Sequence, residues 1–98
     1  MATFSITYDL RNPGRDYDKV ISKIKLLGNG NWCRPTESAW FIKSNLSAGA
    51  IRDAIASVTD SNDKIMVHSV ASKWASNNLD PAVNSWLKAN WQSACVVG

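Results

Sequence analysis

The segment Ile6-Thr7-Tyr8-Asp9-Leu10-Arg11 carries the residues best suited to chemistry. A carboxylate at the end of a strand, followed by a Pro/Gly loop with Arg11 and Arg15, can hold Mg²⁺ beside a phosphate. Carboxylate oxygen is the hard ligand that Mg²⁺ prefers, and arginine forks match phosphate oxygens. One carboxylate per chain makes a sparse metal site. A two-fold dimer that brings two copies of Asp9 together would double it, as isologous contact allows. The same carboxylate can also accept loop amides or pair with Arg11 or Arg15, which is a purely structural role.

The other chemical candidates are thinner. His68 is the sole histidine. An imidazole suits acid–base work, but strand alternation places this one with Met66 and Val70, without a visible partner. Trp32, Trp40, Trp74, Trp86 and Trp91 could stack bases, as exposed aromatics do in single-strand binders. Burial in a core or an interface is their expected use. Trp74 and Trp91, each in or beside polar sequence, are the pair expected to be exposed. Cys33 and Cys95 have no CxxC spacing and are expected to be free thiols. Gly28-Asn29-Gly30 lacks the lysine and the strand–loop–helix setting of a phosphate cradle, and no HExxH or nucleophile-elbow motif occurs.

Six elements and a C-terminal helix position these residues. Thr3 to Leu10 alternates Phe4, Ile6 and Tyr8 against Ser5, Thr7 and Asp9, the period of a half-buried strand. With the apolar set inward, Asp9 points to the opposite face with Ser5 and Thr7. From Asp16 to Leu27 the apolar residues Tyr17, Val20, Ile21, Ile24 and Leu27 recur at helical spacing, with Asp16 as N-cap and Gly28 as C-cap residue. Asn31 to Arg34 and Ser38 to Ser44 read as strands. Pro35 lies at a strand end or edge because it has no amide to give, and Trp40 and Ile42 share a face. Ser47 caps a second helix that buries Ala50, Ile51, Ala54, Ile55 and Val58. Lys64 to Val70 is a strand whose near-continuous apolar character suggests a central position. Asp80-Pro81 opens a helix running to Trp91, with Val83, Trp86 and Leu87 on one face.

The order β-α-β-β-α-β is the split-βαβ arrangement. The expected architecture is therefore α+β: a ferredoxin-like, four-stranded antiparallel sheet with two helices on one face, plus a C-terminal helix. The other face must be solvated, covered by that last helix, or buried against a second chain. At 98 residues the chain is expected to be a single domain, with core 3–70 and a helical extension 71–98. The net charge of +3 permits nucleic-acid contact without requiring it. The N-terminus lacks the pattern of a signal peptide, and no apolar run is long enough to span a membrane, so a cytoplasmic location with no membrane partner is expected.

Tyr8-Asp9-Leu10 on the first strand, Glu37-Ser38-Ala39-Trp40-Phe41 on the third and Asp63-Lys64-Ile65-Met66-Val67 on the fourth, in this order around two helices, resemble the small ferredoxin-like CRISPR-associated adaptation proteins. The resemblance is closer to the related SinR family and covers about residues 3 to 70. It implies a homodimer and, in the nuclease members, a metal-dependent endonuclease acting on RNA or DNA. On that basis Asp9 would be the catalytic and Mg²⁺-binding residue, Tyr8 and Ser38 match the family motifs, and Arg11, Arg15 and Arg34 are nucleic-acid-binding candidates by position. The family's usual fifth strand is replaced here by a polar loop and a helix. Two other functions fit the same residues: a non-catalytic homodimeric protein-interaction module, and a toxin-like ribonuclease of the VapD type, which shares the general fold.

Overall fold

A computed structural model describes residues 2–10, 17–70 and 74–91. The elements run β1 (Ala2–Asp9), α1 (Tyr17–Gly28), β2 (Trp32–Thr36), β3 (Ala39–Ser44), α2 (Ala48–Ala56), β4 (Lys64–Ser69) and α3 (Pro81–Asn90). The four strands form one antiparallel sheet in the order β2-β3-β1-β4, the ferredoxin-like α+β arrangement.

The alternation along β1 divides the sheet into two faces. Phe4, Ile6 and Tyr8 pair with Ile42 and Trp40 of β3 and with Val67 and Ile65 of β4. They pack with Val20 and Ile24 of α1 and Ile51 and Ile55 of α2 into the main core. Ile6, Ile42 and Ile51 are fully buried, each contributing on the order of 2 kcal/mol. Both helices therefore cover one face. Ser47 caps α2, its Oγ accepting from Ala50 N at 3.1 Å. Asp80 caps α3, its Oδ1 accepting from Ala82 N at 2.9 Å, with Pro81 just inside.

The opposite face is shared between helix and solvent. Cys33 of β2 and Phe41 of β3 point there, and α3 covers them with Val83 and Leu87. Trp86 Nε1 donates to Asn31 Oδ1 at 3.0 Å, and Thr3 Oγ1 donates to the Asn90 carbonyl, tying the C-terminal half of α3 to β1 and to the residue before β2. Thr3 and Ser5 are buried beneath it, whereas Thr7, Asp9, Met66 and His68 lie beyond its reach and are exposed.

Several expectations need correction. Trp74 and Trp91 are not an exposed pair: their ring centroids lie 6.2 Å apart, Trp91 meets Phe41 edge-on at 5.3 Å, and both are half-buried. The apolar back of β2 and β3 needs cover, and these rings supply part of it together with Val83 and Leu87. Among the described strands β4 lies at an edge and is not central; β3 and β1 are the strands flanked on both sides. Its apolar run misleads because only Ile65 and Val67 face the helices, while Met66 on the back is 58% exposed. Gly28 belongs to α1, and in the turn that follows the left-handed residues are Asn29 (φ 48°) and Gly30 (φ 83°). A side chain at Gly28 would meet Ile42 Cγ2 at 3.2 Å, so close helix–sheet approach selects glycine there. Tyr17 and Ala50, assigned to buried helix faces, are exposed. β2 extends through Pro35 to Thr36, with Pro35 on an edge strand beside a register irregularity, as its missing amide requires. The proposed N-cap Asp16 lies outside the described residues.

Candidate functional site

At the C-terminal end of β1, Tyr8, Asp9, Leu10, Tyr17, Arg34, Glu37 and Ser38 line a cleft of about 490 Å³. Sheet register builds it. Thr7 stands opposite Ala39, and Tyr8 N donates to Ser38 O at 3.1 Å, so the β2–β3 turn lies directly against the end of β1. Residues nearly thirty positions apart in sequence are brought together by one antiparallel pairing.

A neighbouring carbonyl, that of Glu37, gathers three more contacts at the turn. Glu37 O accepts from Tyr8 OH at 3.1 Å, from Arg34 Nε at 3.1 Å and from Arg34 Nη2 at 2.7 Å. Buried Trp40 donates its Nε1 to Tyr8 OH at 3.2 Å, and the Arg34 guanidinium lies 4.9 Å from the centre of the Trp40 ring. Tyr8 is therefore both acceptor and donor in a relay from core to turn, and its ring stands 6.5 Å from that of Tyr17. Arg34 is anchored on its inner edge, but a guanidinium has more N–H groups than this contact uses.

Asp9 is exposed and lines this cleft together with a shallower one of about 280 Å³ formed with Thr7, Lys64 and Met66. Its register partner on β4 is Lys64, a cross-strand pairing of opposite charges. Of the candidate residues, the fold thus brings Tyr8, Asp9, Arg34 and Ser38 to one place. Arg11 and Arg15 lie outside the described residues. His68 is exposed on the back of β4 opposite Ser5, away from the cleft.

Glu37 and Tyr17 were missed as candidates. The signal for Glu37 was present: once Thr7 pairs with Ala39, the residues just before Ala39 must meet the end of β1. Tyr17 gave no such signal, because helical spacing assigned it to the core.

Asp9 and Glu37 are the residues of the cleft whose side-chain oxygens could hold a hard cation. Mg²⁺ is commonly held by one or two carboxylates, with waters and substrate phosphates completing its shell. Among the described residues no group of three or more His, Cys, Asp or Glu is placed to hold a metal ion by protein ligands alone. No described helix is long and apolar enough to cross a membrane.

Compared with protein-family models the chain matches none, and no curated protein matches it.

Proposed function

We propose that the protein is a dimeric nucleic-acid-interacting protein of the metal-dependent endonuclease type, with the cleft at the end of β1 as the place where a backbone phosphate sits. The observation that carries this reading is the convergence of Asp9, Glu37, Arg34 and Ser38 on one cleft whose rim is fixed by the Glu37 carbonyl. Asp9 and Glu37 would hold Mg²⁺, which when bound supplies charge stabilisation to a phosphodiester under attack by water. Arg34 gives its outer N–H groups to phosphate oxygens, and the Ser38 hydroxyl adds a neutral donor. Tyr17, 45% exposed, offers a ring on which a base can stack.

The reading is tested by incubating labelled single-stranded RNA, single-stranded DNA and duplex DNA with the protein in Mg²⁺ and in EDTA. Cleavage in Mg²⁺ that falls about a hundredfold or more in Asp9→Asn is the expected result. Equal and negligible cleavage by both proteins removes the enzyme.

The non-catalytic interaction module is favoured by one specific observation. Tyr8 OH and the inner edge of Arg34 are both spent on the Glu37 carbonyl, a structural use of two candidate residues. On that reading, a non-catalytic homodimeric protein-interaction module, neither the wild type nor Asp9→Asn cleaves any of the oligonucleotides.

A further inference from the structure

The two edges of the sheet are unequal. β2 carries Pro35, a register irregularity and the anchored Arg34, all features that discourage a further strand. β4 has none of these over Lys64–Ser69, and no described strand pairs with its outer side. Hydrogen-bond directions identify what that side presents. Val70 N donates to Thr3 O at 3.0 Å, so Val70 and, by alternation, His68, Met66 and Lys64 turn their backbone groups towards β1. Ile65, Val67 and Ser69 therefore direct both N–H and C=O outward.

We infer that β4 pairs with β4 of a second copy of this chain, antiparallel about a two-fold axis through Val67, giving one continuous eight-stranded sheet. This inference rests on the dimeric part of the proposed function and adds the edge and the register. A two-fold normal to the sheet keeps like faces together, so residues of equal parity must meet. Centring on Val67 places Val67 opposite its own copy and Ile65 opposite the partner's Ser69, which satisfies every outward backbone group of the strand. On the back face Met66, 58% exposed, then lies opposite the partner's His68. Centring on Met66 instead leaves Ser69 beyond the paired stretch, with its outward N–H and C=O unsatisfied. The Val67 register has a consequence for the site. From strand spacing and rise, the two Asp9 residues stand on the order of 25 Å apart, so each cleft works alone and no metal is shared between them.

Cross-linking reads the register directly. In a Cys95→Ser background Val67→Cys is expected to form a disulfide-linked dimer under mild oxidation, because paired strands bring its Cα atoms to about 5.5 Å. Met66→Cys is expected to remain unlinked. Light scattering is expected to give twice the chain mass for the wild type. Ser69→Pro, which removes an outward amide without touching the core, is expected to give a monomer with an unchanged far-UV spectrum. A monomeric wild type overturns the inference, as does a dimer that survives Ser69→Pro, or cross-linking through Met66→Cys and not Val67→Cys. Deleting residues 92–98 and losing the dimer would assign the edge to that segment and likewise overturn it. A monomer that still binds oligonucleotide leaves the cleft reading standing, and a β4-paired dimer that binds none removes only that reading.

Discussion

Tyr8 shows how a residue can line a site and yet act through the fold. Its hydroxyl accepts from buried Trp40 and donates to the Glu37 carbonyl. Tyr8→Phe removes both contacts and leaves the Trp40 N–H without its acceptor in the core. The expected cost is about 1–3 kcal/mol, read as a lower urea midpoint. Cys33 gives a second prediction at this scale. Burial under α3 pushes its thiol from the ordinary 9.0 up to about 12, against a smaller opposing effect of a backbone hydrogen bond at Phe41. The folded state keeps this proton where the unfolded chain loses it. The thiol's contribution to stability is therefore intact below about pH 9 and is lost progressively as pH rises from there towards 12. Urea midpoints between pH 7 and 10.5 are expected to fall more steeply in the wild type than in Cys33→Ala. Native protein at pH 8 is expected to leave Cys33 unalkylated, and unfolding to release it.

At the scale of elements, α3 is the addition that decides which half of the back face remains open. Leu87, 3% exposed, fixes it over Cys33 and Phe41. Leu87→Ala is expected to cost about 2–4 kcal/mol and to raise alkylation of Cys33 in the otherwise folded protein, because the helix is its cover. The elements were largely legible beforehand. Strand alternation along β1, the Ser47 and Asp80 caps and the position of Pro35 each follow from local chemistry that the tertiary structure does not override. The failures share a cause. The edge position of β4 and the burial of Trp74 and Trp91 depend on which elements lie alongside, and no periodicity within one segment carries that information. The candidate site was half legible for the same reason: Asp9 and Tyr8 follow from β1 alone, but Glu37 becomes visible only through the pairing of Thr7 with Ala39.

For the molecule as a whole, a net charge of +3 is modest, so a nucleic-acid partner would be held by local geometry as much as by overall field. Binding that depends on phosphate contacts weakens steeply between 50 and 200 mM salt, and the wild type is expected to follow that trend. Arg34→Ala is expected to make the dependence shallower. The most direct measurement is the mapping of backbone amide shifts on adding Mg²⁺ and then a short oligonucleotide to the labelled protein. The cleft reading predicts that the largest changes fall at Tyr8, Asp9, Leu10, Arg34, Glu37 and Ser38 and that Asp9→Asn abolishes the Mg²⁺-dependent part. Changes confined to α3, or none at either addition, would contradict it.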